Sequence, residues 1–362
     1  CFAVYNSGVI DSDATRANLV NYVRGNDLTG CRNRSFNVKE GNTSKKYTWK
    51  LGDIVYSTPK VETDYQYCSD GTQFNATPCS TAAQCTSGAF TQCNKKESIV
   101  FVGANDGMLH AFKTGIIEKN GLSEGQVAKI VGSEFGKELW AFIPKNALPY
   151  LRCLGNSDYC HLNYIDLSPH IVPMGNKKVL IGGMRLGGAA CENSSGTYRC
   201  GAPSDVCSPL TCSNLDTCFN PSGCTGLSSY FALDITDVEA PKLLWEFSHP
   251  LMGYSYSGPA VIHRAVKQAS GDPVEKYFVM FLSGPTSRDG SSNQNVHAFI
   301  LSLDNDMKIP ATNGLYVKDL GSSTANGLGG RLFTDGMDVD EDGYTDFVLF
   351  GFSRKTSNKT DT

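Results

Sequence analysis

Short runs in which apolar and polar residues alternate recur along most of the chain, and each predicts a half-buried strand. The clearest is SIVFVGANDGMLHAF, residues 98–112, where two such runs flank Asn105-Asp106-Gly107, a strong hairpin signal. Upstream, ATRANLVNYVRG predicts a helix with a narrow apolar stripe of Leu19, Val20 and Val23, stopped by Gly25, with polar linker around it up to about Tyr47. From Trp49 the texture becomes that of strands, beginning with LGDIVYSTPKVE. After the hairpin, a loop is expected from Lys113 to Gly136, and then a strand in KELWAFIPKNAL.

The same order then returns. NYIDLSPHIVP, KKVLIGGMRLGGAA, SSYFALDITD and PKLLWEFSHP read as a second set of strands, and YSYSGPAVIHRAV, KYFVMFLSG, NVHAFILSLD and GLYVKDLG as a third. Ser57-Thr58-Pro59, Ser168-Pro169 and Ser257-Gly258-Pro259 mark equivalent entries. A fourth set opens at LGGRLFTDGMDVDEDGYTDFVLFGF and is cut short by the polar tail SRKTSNKTDT. Repeated units of four short strands are the mark of a β-propeller, because each blade buries its faces only against its neighbours. Trp49, Trp140 and Trp245 recur with the units and are assigned to packing between blades. Four units do not close a ring, so an incomplete propeller would expose sheet faces and edges.

Composition narrows the compartment. The fourteen cysteines fall in even-numbered local groups: Cys1 and Cys31; Cys68 to Cys93; Cys153 and Cys160; Cys191 to Cys224. Even groups suit disulfides closed within each segment, and the absence of any CxxC pair argues against zinc. The two Cys-rich inserts, 68–93 and 191–224, are too polar to own a core, so bridges must hold them, which implies an oxidising, exported setting. A net charge of -4 gives no field for nucleic acid, and no apolar run is long enough to span a bilayer. The start at Cys1, with no leader, suggests a mature or trimmed product.

Chemistry concentrates in DVDEDGYTD, residues 338–346. Asp338, Asp340 and Asp342 alternate, Gly343 takes the sharp turn, Tyr344 offers its backbone carbonyl and Asp346 closes the loop. That is the front half of an EF-hand calcium loop, and carboxylates so close together repel unless a hard cation lies between them. Leu349 stands where the bidentate glutamate would be, and FVLFGF reads as a buried strand instead of a second helix. The loop therefore opens a fourth blade, with Leu349 in its core. No catalytic constellation accompanies it: there is no HExxH and no GxSxG, and the Ser-Pro pairs are turn devices. His110, His161 and His170 read as structural residues at strands and strand entries. Leu251, Met252 and Tyr254 are candidate docking residues in a loop.

VFVGANDGMLHAF followed by GKELWAFIP resembles the blades of quinoprotein-like propellers. The ordered set LGDIVYSTP, VGANDGMLHAF, His161 to Asp166, VLIGG, YFALDITD, LLWEF and the DxDxDGxxD loop resembles the type IV pilus tip-associated adhesins of the PilC/PilY family, over about Leu19 to Phe352. The resemblance implies a modified propeller over 49–362, preceded by a helix-and-linker segment at 1–48, on a protein exported through the periplasm to the pilus tip at the cell surface. It also implies Ca2+ held by Asp338, Asp340, Asp342, the Tyr344 carbonyl and Asp346, with control of pilus extension against retraction. The implied partners are minor pilins and a host or abiotic surface, and the implied activity is non-enzymatic. Two other readings stand beside it: a scaffold that caps minor pilins without calcium regulation, and a quinone-dependent dehydrogenase. The latter lacks the adjacent-cysteine disulfide such enzymes often use as a clamp. An N-terminal von Willebrand A-like adhesion domain, common in the family, does not occur in these residues.

Overall fold

The computed structural model describes residues 13–354 apart from 72, 80, 119–121, 133, 156–158, 160, 189–227, 268–269, 288–289 and 334–335. The second Cys-rich insert, with Cys1, Cys160 and the polar tail from residue 355 on, lies outside the described residues. Among the described residues one α-helix, α1 (Asp13–Val23), precedes eighteen strands. Hence the chain is all-β in class.

Three antiparallel meanders follow the repeat. The first is built on β3 (Lys60–Ser69), β5 (Gln92–Gly103), β6 (Leu109–Glu118) and β8 (Glu138–Phe142), widened at its ends by β4 (Phe74–Pro78) and β7 (Lys129–Val131) into six strands. The second is β9 (His170–Met174), β10 (Lys177–Gly183), β11 (Tyr230–Asp234) and β12 (Lys242–Phe247). The third is β13 (Ala260–Val266), β14 (Val274–Leu282), β15 (His297–Ser302) and β16 (Leu315–Asp319). A fourth, two-stranded piece pairs β17 (Gly327–Gly329) with β18 (Phe352–Arg354).

Alternation along the strands stacks these sheets. In β10, Leu180 enters a core with Phe101 and Leu109 of the first sheet, while Val179 and Ile181 enter a second core with Phe281 and Phe299 of the third. In β14, Val279 and Phe281 face that second core, while Met280 and Leu282 turn to a third core with Leu332. Period two thus gives each central sheet two buried faces, as strands packed between neighbours require. Gly103 allows the close approach of the first two sheets, since a Cβ there would lie 2.3 Å from the Ile165 carbonyl oxygen.

The entries to the repeats meet on one side chain that belongs to no motif. The Arg185 guanidinium lies 3.7 Å from the Tyr56 ring centre and 4.7 Å from that of Tyr256, and donates to Asp166 at 2.9 Å. Asp166 also accepts from the Tyr56 amide at 2.9 Å, so the three units are tied at a single cation.

Several expectations are corrected. LGDIVYSTP forms no strand: its amides are drawn off by side chains, Gly52 by Asp106 at 2.8 Å and Thr58 by Ser168 at 2.9 Å, which leaves Ile54 and Val55 exposed. Trp49 is 63% exposed and packs no blade, whereas Trp245 is buried. The expected loop after Lys113 instead prolongs β6 to pair with β7. In α1 the buried residues are Leu19 and Tyr22, and Val20 is exposed; Tyr22 donates to the Leu154 carbonyl at 3.1 Å. Met252 and Tyr254 are buried and offer no docking surface. The polar stretch after α1 forms a hairpin of β1 (Ser35–Glu40) and β2 (Thr43–Thr48). FVLFGF is not a buried strand: Leu349 is 56% exposed, because beyond the Met337–Phe347 bridge no further strand covers it among the described residues.

The cysteine expectation is met where it is visible. Cys68 bonds Cys85 and Cys79 bonds Cys93, both within the first insert. Consequently, although Cys68, Cys79 and Cys85 lie close enough together to suggest a metal site, their sulfurs are already paired.

Candidate metal centre

The acidic loop folds by using its own carboxylates as turn caps. Asp338 accepts from the Gly343 amide at 2.8 Å and from the Asp342 amide at 3.2 Å, and Asp342 accepts from the Tyr344 amide at 2.8 Å. Gly343 has φ 89°, the left-handed conformation that glycine adopts without strain. Asp346 reaches back to accept from the Val339 amide at 2.9 Å.

These turns bring Asp338, Asp340 and Asp346 together, with one carboxylate oxygen of each within 4.8 Å of the others, all exposed. Asp342 does not join the three: its carboxylate is committed to the turn at Tyr344. An all-oxygen, anionic, exposed donor set fits a hard divalent cation such as calcium and does not suit a soft one. The Tyr344 side chain points away from this set, its hydroxyl 3.3 Å from Glu275 and its ring 4.9 Å from that of His263.

Sequence reasoning missed what holds the loop. It is strapped to β13. The Thr345 amide donates to the His263 carbonyl at 2.8 Å, and the Thr345 hydroxyl accepts from the His263 amide at 3.1 Å. The Thr345 carbonyl accepts from Arg264 at 2.7 Å, and His263 Nδ1 lies 3.0 Å from the Gly343 carbonyl. Arg264 also stands 3.8 Å from Asp346, within the ligand group. AVIHRAV gave one faint signal, two polar residues side by side where strict alternation calls for an apolar one.

A second polar cluster caps the β5–β6 turn. His110 Nε2 lies 3.1 Å from Asp106 and Nδ1 2.5 Å from Glu138, beside a cleft of about 820 Å³ lined by Leu19, Val23, Leu51 and Leu151. Burial alone would push the imidazole down, but the hydrogen bonds and charges of Asp106 and Glu138 outweigh it and raise His110 to about 9. With a carboxylate on each nitrogen, the ring at neutral pH has no lone pair to act as a base. Beside it, Asp53 accepts from His161 at 2.8 Å and from Asn105 at 3.1 Å, which hold its carboxyl below the usual range despite partial burial.

An all-β chain of stacked antiparallel sheets, carrying a carboxylate loop strapped to a neighbouring sheet, is the class of protein defined so far. Its relatives are more specific. The chain is 25% identical over 344 residues to a type IV pilus biogenesis factor PilY1 homolog of Xylella fastidiosa, covering 92% of this chain and 22% of the relative. It is 28% identical over 221 residues to type IV pilus biogenesis factor PilY1 of Pseudomonas aeruginosa, covering 58% of this chain and 14% of the relative. These matches bear out the PilC/PilY resemblance. The chain spans about a fifth or less of the length of these relatives. No family model matches. Among solved structures, the Pseudomonas aeruginosa PilY1 C-terminal domain aligns with 71% of this chain and 37% of its own, at 23% identity and a TM-score of 0.38.

Proposed function

We propose that this chain is the propeller region of a non-enzymatic, calcium-binding protein of the type IV pilus tip. In this reading residues 49–362 form the propeller, 1–48 an N-terminal helix and linker segment, and the whole acts in pilus assembly, extension–retraction control and surface adhesion. The partners are minor pilins and a host or abiotic surface, and the location is extracellular, reached through the periplasm. Kinship with pilus biogenesis factors supports the setting, and three consecutive meanders with shared cores support the propeller.

One observation carries the calcium reading: Asp338, Asp340 and Asp346 converge on a loop hydrogen-bonded to β13. A bound cation would relieve the repulsion among these carboxylates; the Tyr344 carbonyl, and Asp342 once its carboxylate turned from the Tyr344 amide, would complete the proposed ligand set. The protein's part is transmission. Thr345 adjoins the ligand Asp346, and their contacts with His263 and Arg264 would pass order in the loop to the edge of the third sheet. Extracellular sites of this kind bind at about 10⁻⁴–10⁻³ M, so the loop would read calcium outside the cell.

Calorimetric titration of the chain with calcium tests this. The expected result is one binding event in that range, abolished in Asp340→Ala, with slower cleavage of the loop by protease when metal is present. Equal cleavage of both proteins with and without calcium would leave only the scaffold reading.

A further inference from the structure

The β1–β2 hairpin stands apart from every other sheet. All its residues except Ser35 are exposed. Its two faces differ. The pairing of Phe36 with Tyr47 and of Val38 with Lys45 puts Phe36, Val38 and Tyr47 on one face, ended by Thr43 and the Glu40–Lys45 pair, and Trp49 continues that face beyond the strand. The rings form a ladder, Phe36 to Tyr47 at 6.2 Å and Phe36 to Trp49 at 6.1 Å, and they remain 41%, 41% and 63% exposed in the order Phe36, Tyr47, Trp49. The opposite face carries Ser35, Asn37, Lys39, Ser44, Lys46 and Thr48.

An isolated two-stranded ribbon is marginal in water, and a third strand over an apolar face is the usual remedy. Both outer edges of this ribbon present backbone N–H and C=O groups to whatever strand arrives. Charge selects that strand. Glu40 is paired with Lys45 at 2.6 Å, so Lys39 and Lys46 remain as the net charge of the hairpin, positive on a chain whose total is -4. A second copy of the hairpin would set lysines against lysines, which is unfavourable across a strand pair.

We propose that the hairpin docks an extended polypeptide segment of alternating acidic and apolar residues. That segment pairs with a free edge of the ribbon, lays its apolar side chains across Phe36, Tyr47 and Trp49, and sets its carboxylates beside Lys39 and Lys46. This is strand addition, in which main-chain bonds give affinity and the alternating faces give selectivity. The proposal does not rest on the calcium loop.

The experiment uses the full chain, in chelator, and a labelled eight-residue peptide alternating Glu with Val. Fluorescence anisotropy reports binding, and amide exchange reports where it occurs. The expected result is saturable binding, slower exchange confined to residues 35–48, and at least a tenfold loss of affinity in both Lys46→Glu and Tyr47→Ser. The Lys46→Glu chain keeps the ladder intact, so its loss isolates the charge. Equal affinity for a peptide alternating Lys with Val, unchanged binding in both variants, or protection elsewhere in the chain would overturn the proposal. So would self-association that disappears in Tyr47→Ser, since the occupant would then be a second copy. Repeating the titration with Asp340→Ala separates any failure here from failure of the calcium site.

Discussion

His110 and His249 are both buried, and their environments push protonation in opposite directions. Burial would lower His110, but Asp106 and Glu138 overcome it and hold the ring charged to about 9. For His249 the balance goes the other way: burial, then the neighbouring His297, lowers it to about 4. The signs follow from linkage. For His110 the folded chain holds the proton more tightly than the unfolded one, so its contribution is complete below about pH 6.5 and is lost as pH rises toward 9. For His249 the unfolded chain binds the proton first, so stability falls as pH drops from about 6.5 toward 4. Each effect is on the order of 1–3 kcal/mol. Denaturant unfolding from pH 4 to 9 should therefore peak near 6.5, with His110→Gln flattening the alkaline limb and His249→Phe the acid one. A curve that both variants leave unchanged would contradict these assignments. The residue scale also shows which parts of a site can be read in advance. Asp338, Asp340 and Asp346 were legible because their ligand oxygens converge within nine residues of chain. His263 and Arg264 were not, because their contact with Thr345 spans about eighty residues and leaves no local pattern.

At the scale of elements, the strap between the acidic loop and β13 makes a specific demand on Thr345, which is 7% exposed and exchanges two hydrogen bonds with His263. Thr345→Val keeps the shape and removes the acceptor for the His263 amide. An unpaired buried donor costs about 1–3 kcal/mol, and here that loss falls on the loop more than on the stacked cores. Calcium affinity should weaken several-fold and loop amides should exchange faster, while the melting temperature changes little. Unchanged affinity, measured by the same calorimetric titration, would show that the strap does not serve the site. Elements were legible where alternation and turn chemistry agreed, as in β5 and β6 around Asn105-Asp106-Gly107. LGDIVYSTP alternates equally well, yet its amides find Asp106, Asp166 and Ser168 instead of a ladder. The β1–β2 hairpin was hidden for the converse reason: its lysines, serines and threonines masked a face carried by Phe36, Val38 and Tyr47.

For the molecule as a whole, the three shared cores explain why sheets of modest length hold together, and also where that logic stops. Every face between the first and third sheets is covered, so Phe231, Phe281 and Phe299 are fully buried. Around the fourth, two-stranded piece one side still packs, with Leu332 and Val348 against the third core, but the other has no sheet over it among the described residues. Phe333, Val339, Phe347 and Leu349 are each more than half exposed, with Phe350 and Phe352 beside them. So many large apolar side chains exposed within one short unit offer a surface for hydrophobic probes. The chain should therefore enhance the fluorescence of an anilinonaphthalene dye in its folded state, and Phe347→Ser combined with Leu349→Ser should remove most of that signal. Because neither side chain is in a core, the pair should shift unfolding by no more than about 0.5 kcal/mol per site, as surface changes do. The opposite result, an unchanged dye signal with a loss of several kcal/mol, would return Leu349 to a packed blade, as the run FVLFGF read alone suggests. The two outcomes separate a stack that ends at Phe347 from one that closes over it.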